Sequence, residues 1–148
     1  MELFWIIPLA MLGVFALVIG ILAIAVPLMH RALARMGGWQ ALSARYRAPH
    51  EPAGQRFVRQ TIYVGPVYYR FATTLVITPV GLYIAVFAVN HPPLFIPWAH
   101  ITAIRRRSMF WLPGIELTVG SPPVGTIQCY TSLYSHMQPY LTHRAPPA

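Results

Sequence analysis

The stretch Arg56–Thr78, RFVRQTIYV-GP-VYYRFATTLVIT, decides the fold. Both arms are rich in Val, Ile, Thr, Tyr and Phe, whose branched or aromatic side chains suit a pleated, half-buried surface. Gly65-Pro66 between them is a turn signal, so a hairpin is predicted, Arg56–Val64 against Val67–Thr78. Pro79-Val80-Gly81 is a second turn, leading into Leu82–Val89. There Leu82, Ile84, Val86 and Ala88 alternate with Tyr83, Ala85, Phe87 and Val89, which predicts a strand largely covered on both faces. Asn90–Pro93 breaks the chain, Leu94–Pro97 is short and extended, and Trp98–Ile101 reads as a turn or single helical turn. Ile104–Leu112 and Ile115–Val119 flank Pro113-Gly114, the expected hairpin turn. After a loop at Gly120–Gly125 come a last strand, Thr126–Tyr130, and a helix, Ser132–His143, interrupted by Pro139.

Gly81-Leu82-Tyr83-Ile84, followed by His91-Pro92-Pro93-Leu94-Phe95 and Ile96-Pro97-Trp98-Ala99-His100-Ile101, resembles bacterial pleckstrin-homology-like (GRAM-like) domains. In those a "G-L-hydrophobic" strand precedes an "I-P-W-x-x-I" segment. The resemblance covers roughly Gln55–Thr142. It implies seven antiparallel strands in two nearly orthogonal sheets, a sandwich or barrel capped by a C-terminal helix, serving as a binding or scaffold module. Members that bind phosphoinositides carry a Lys…Lys/Arg-x-Arg pattern in the first two strands. This chain has no Lys and only Arg56, Arg59 and Arg70 there, so that ligand does not carry over.

Toward the N-terminus, Leu3–Met29 contain no charged side chain. As a helix they span about 40 Å, more than the roughly 30 Å hydrocarbon core of a bilayer. A cleavable signal peptide fits poorly: the only early charge is Glu2, and Ala23-Ile24-Ala25 is followed by Pro27-Leu28 rather than a polar start. Arg31, Arg35, Arg45 and Arg47 follow the run, and no Arg or Lys precedes it. The positive-inside rule then places the N-terminus outside and everything after Met29 in the cytoplasm; the resemblance to bacterial domains implies that the membrane is a bacterial inner membrane. Arg31 and Arg35, four apart, share a helix face and complement the negative end of its dipole. Gly37-Gly38 is the expected stop, one glycine taking a left-handed cap.

Three segments result: an anchor at 1–36, a short amphipathic helix and linker at 37–54, and the β domain with its C-terminal helix at 55–148. The class is membrane-anchored α+β, mainly β. In the middle segment Trp39, Leu42 and Tyr46 fall on one helix face. Trp39 either sits at headgroup depth or packs on the following domain.

About 110 residues follow the anchor, room for one domain with its own core. The net charge of +8 comes from arginine, there is no Asp, and Cys129 is the single cysteine, so no intrachain disulfide can form. Arg105-Arg106-Arg107 is the sharpest functional candidate. With Pro113-Gly114 as the turn, Leu112 pairs Ile115 and Phe110 pairs Leu117. Ile104, Phe110 and Leu112 then face the core, and Arg105, Arg107, Trp111 and Glu116 face out. That surface contacts anionic headgroups or an acidic partner, or is a solvated face whose arginine stems cover apolar surface. Arg106 must sit at an edge or bulge, or find an acceptor.

Catalysis is not expected. Of the carboxylates after the anchor, Glu51 lies in a linker and Glu116 next to a turn. A Ser-His-Asp triad lacks its Asp, although Glu could substitute, and Cys129 on an interior strand reads as a small hydrophobe. The six histidines show no metal-ligand spacing, and no cofactor is implied. The expectation is a single-pass membrane protein presenting a non-catalytic PH-like domain, or else a structural subunit or assembly factor of a membrane complex. Its partners are the bilayer itself, anionic lipid headgroups and an unidentified protein. A membrane-tethered nucleic-acid binder is the weaker alternative, because topology already explains several arginines. The residues expected to make contact are Arg31, Arg35, Trp39, Arg105, Arg107 and Trp111.

Overall fold

The structure, a computed structural model, describes residues 3–36 and 38–141. The chain divides into two compact units, 1–32 and 33–148. The first holds most of a long helix, α1 (Leu3–Met36), containing Pro8 and Pro27. Within it the 24 residues Ile6–Met29 are apolar on every side and long enough to cross a membrane.

The second unit begins with a short helix, α2 (Trp39–Tyr46), entered through Gly38 at φ +73°. That left-handed geometry favours glycine, as expected of one residue in the Gly-Gly pair. Seven strands follow: β1 (Gln55–Val64), β2 (Val67–Ile77), β3 (Gly81–Val86), β4 (Leu94–Pro97), β5 (Ile101–Met109), β6 (Leu112–Val119) and β7 (Gly125–Tyr130). A helical turn at Trp98–His100 separates β4 from β5. Helix α3 (Thr131–Met137) closes the order, and Pro139 falls in a 3₁₀ turn after it. The proline therefore ends the helix earlier than expected rather than interrupting it.

The strands form one curled antiparallel sheet in the order β4-β3-β2-β1-β7-β6-β5. Its two halves meet where β1 pairs with β7, at Tyr63–Gln128 and Val64–Ile127. Two register shifts in the β1–β2 ladder mark bulges, with Arg59 and Phe71 at positive φ within them. Bulges bend a strand and increase its twist, which curls the sheet. One N-terminal apolar helix and a seven-stranded curled sheet with a C-terminal helix are compatible with a PH-like fold.

The concave face holds the core. Ile62, Val64, Leu75, Leu82, Ile84, Leu94, Ile96, Leu117, Val119 and Ile127 are all buried there, joined by Leu133, Tyr134 and Met137 of α3. Helix α2 belongs to this core: Trp39 and Leu42 are fully covered and Tyr46 nearly so. Of the two roles expected for Trp39, packing is the one observed. Its indole Nε1–H donates to the Pro92 carbonyl at 3.1 Å, and its ring meets Tyr69 and His91 edge-on. Leu42 lies over Gly125, where a Cβ would come within 3.1 Å of it. The Ala48 amide bonds the Pro93 carbonyl, and Arg47 bridges to Leu94, so the chain leaving α2 is laced to β4. A smaller cluster of Ala48, Val76 and Tyr83 covers the outer side of β2 and β3, but β3 ends at Val86, short of the expected Val89, and Phe87 and Val89, expected on the covered strand, are exposed.

Candidate functional site

The β5–β6 hairpin differs from its expected form. The turn is Phe110-Trp111, not Pro113-Gly114: Met109 pairs Leu112, Ser108 pairs Pro113, Arg107 pairs Gly114 and Ile104 pairs Leu117. Phe110 and Trp111 have φ of +44° and +68°, the two left-handed residues of a tight hairpin turn whose twist matches the strands. Pro113 is tolerated because Met109 and Leu112 flank the two-residue loop as a hydrogen-bonded pair, and the next pair, Ser108–Pro113, needs no N–H. Gly114 sits mid-strand for lack of room: an added Cβ would lie 2.8 Å from the Arg107 carbonyl and 3.0 Å from that of Cys129, beside the Met109 side chain.

This register reverses several orientations. Phe110 and Leu112, expected in the core, are each 55% exposed, and Glu116, expected to face out, is 6% exposed. Ile104 is buried as expected. Glu116 escapes an isolated buried charge because Arg107 Nη1 donates to its Oε2 at 2.8 Å and Gln128 Nε2 donates to the same oxygen at 3.0 Å. Arg105 and Arg106 are exposed on β5, an edge strand, which resolves the awkward placement of Arg106. Trp111 is 96% exposed at the tip. Arg31 and Arg35 belong to α1, and their side chains lie outside the described residues. Trp39 is a core residue, remote in kind from the exposed Arg105, Arg107 and Trp111 of the hairpin.

Residues that sequence reasoning did not single out complete this surface. The Phe110 ring packs on Tyr68 at 4.9 Å and stacks near Tyr63 at 6.2 Å. Tyr130 lies beside them. Its phenol is pushed above its ordinary pKa by burial first, then by Tyr68 and Tyr63. Phe71, turned outward by the β2 bulge, is 62% exposed and lies under the Arg70 guanidinium, 5.3 Å from ring centre. Its amide bonds the Thr61 hydroxyl in place of a ladder partner. Together Tyr68, Arg70, Tyr130, Phe71, Phe110 and Leu112 line an open cleft of about 500 Å³. A second groove, about 540 Å³, runs between Arg106, Arg107 and Ser108 on the hairpin and Tyr134, Ser135 and Gln138 at α3. No sequence signal marks the Phe71 bulge, and the Phe-Trp turn lacks the Asn-Gly chemistry that would announce it.

The groups weighed for chemistry have structural partners. Tyr69 donates its hydroxyl to His91 Nε2 at 3.0 Å, since His91 Nδ1–H is committed to the Val89 carbonyl at 2.8 Å. Tyr46 and His100 make a similar pair at 3.0 Å. Burial pushes the Cys129 thiol up to about 12, which keeps it protonated and poorly nucleophilic. Glu51 is engaged by Arg56 at 2.7 Å. Among the described residues no three His, Cys, Asp or Glu side chains converge as metal ligands.

No protein-family model matches this chain, and no curated protein matches it in sequence.

Proposed function

We propose that this chain is a single-pass protein of the bacterial inner membrane. Its N-terminus is outside, and it presents a PH-like domain at the cytoplasmic surface as a non-catalytic binding or scaffold module. The observation that carries this reading is Ile6–Met29, a helix apolar all round in series with a domain that already has a complete core of its own. A helix of that kind needs an apolar solvent, and lipid supplies it. Arg31 and Arg35, immediately beyond the span, favour the cytoplasmic side for the β domain. The PH-like reading draws support from the strand order and terminal helix. A binding role is favoured over catalysis because Glu51 and Glu116 are each held by an arginine and Cys129 is sealed in the core.

The test is a C-terminally tagged full-length chain in cells. It is expected to stay in the membrane pellet through alkaline carbonate. Its tag should survive protease added to spheroplasts and be lost in inverted vesicles. Release by carbonate, or digestion of the tag in intact spheroplasts, would overturn the reading.

A further inference from the structure

We propose that Phe71, Phe110, Trp111 and Leu112 form a wedge that enters the headgroup–acyl boundary of an anionic bilayer, with Arg70 in the cleft between them binding a lipid phosphate. The proposal deepens the membrane-surface reading above and rests on it.

Three of these residues reach solvent through backbone that L side chains rarely adopt: Phe71 at φ +51°, Phe110 at +44° and Trp111 at +68°. The turn itself needs only positive φ, which Asn or Gly supplies with less strain. The Trp111 side chain adds nothing to the turn, being almost wholly uncovered. Strained, exposed aromatics therefore occur at two separate places in the chain, a bulge in β2 and the tip of β5–β6, and both border the same cleft. Phe87, 98% exposed, adds a further uncovered aromatic, and its amide bonds the carbonyl of Ala72, the residue after Phe71.

The occupant is set by the chemistry of the surroundings. Arg70, Tyr68 and Tyr130 bring charge and phenol groups to the lining of the cleft, and Phe71, Phe110 and Leu112 bring apolar surface to it. A phospholipid has the matching division, an anionic phosphate beside acyl chain, and Trp at the tip suits the interfacial zone. Arg105 and Arg106 on the adjoining strand add positive charge, while Glu116 and Glu51 are already paired with Arg107 and Arg56. If α1 crosses the bilayer, the domain is tethered to that membrane by the chain itself. A contact of low intrinsic affinity is then made at high effective concentration.

The experiment uses the full chain reconstituted in phosphatidylcholine vesicles with or without phosphatidylglycerol. An environment-sensitive dye is placed at Leu112→Cys or, as a control, at Val80→Cys, an exposed apolar position in the β2–β3 turn. Cys129 is buried and stays unlabelled. The dye at 112 is expected to shift to the blue and be quenched by spin-labelled acyl chains, more strongly with phosphatidylglycerol, while the dye at 80 stays aqueous. Arg70→Gln should weaken the phosphatidylglycerol dependence about fivefold. A dye at 112 as wet as that at 80, in protein that resists carbonate, overturns the wedge and leaves the anchored reading intact. Extraction by carbonate overturns the anchored reading itself. A blue shift indifferent to phosphatidylglycerol and to Arg70→Gln overturns the phosphate site. A blue shift that rises with protein density in the vesicles and is not quenched by spin-labelled acyl chains means that a second copy, not lipid, covers the tip, and overturns the proposal.

Discussion

Trp111 combines a left-handed backbone with a side chain that touches almost nothing. Trp111→Gly should therefore raise stability by about 1 kcal/mol, because relief of the positive-φ strain outweighs the added freedom of the unfolded chain. Urea denaturation of the detergent-solubilised protein would read this as a higher midpoint with an unchanged slope. Phe110 is a poorer site for the same change, since its ring packs on Tyr68. Cys129 and Tyr69 set a second expectation, in pH. Burial raises the thiol from 9.0 to about 12 and the phenol from 10.0 to about 12. Both are neutral when protonated, so the folded state holds these protons more tightly than the unfolded chain. Their contribution is complete below pH 9 and is lost as pH climbs from 9 toward 12. The denaturation midpoint should fall across that window, and native Cys129 should resist alkylation at neutral pH until the protein unfolds.

At the scale of elements, α2 is too short to hold its own shape in water, so its helicity depends on Trp39, Leu42 and Tyr46 being packed. Trp39→Ala should cost about 3–5 kcal/mol, from lost burial and the cavity left behind. The Pro92 carbonyl also loses its indole donor. A lowered denaturation midpoint and faster amide exchange across α2 would register it. The stripe Trp39-Leu42-Tyr46 was readable as one face, because helical periodicity is local. What the face met was not, since Tyr69, His91 and Gly125 come to it from distant strands. The β5–β6 hairpin shows the opposite failure. Pro113-Gly114 is the stronger turn signal by local chemistry, yet long-range packing chose another register. Ile104 had to face the core opposite Leu117, and Gly114 had to leave room between two backbones. A turn formed by Phe-Trp carries no propensity signal, so the orientations of Phe110, Leu112 and Glu116 went with it.

For the whole molecule, the succession of strands along the chain was legible because alternation and turn signals recur along 55–130 and depend on little else. The apolar helix was legible for the same reason: length and absence of charge are properties of the sequence itself. The candidate surface was legible only in part. Arg105, Arg107 and Trp111 stood out as a basic strand ending in an aromatic. Arg70, Phe71 and Phe110 became neighbours only once the bulged β1–β2 ladder and the hairpin tip met across the sheet. The burial of Trp39 carries one more consequence, a mechanical one. The chain from the apolar helix enters the β domain through the middle of its core rather than at a loose edge. Tension applied to the chain at Trp39 therefore loads the indole–carbonyl link to Pro92 and the lacing at Ala48 before it reaches the sheet ladders. A tug that freed α2 would uncover the concave face itself, because Trp39, Leu42 and Tyr46 are part of the core that fills it.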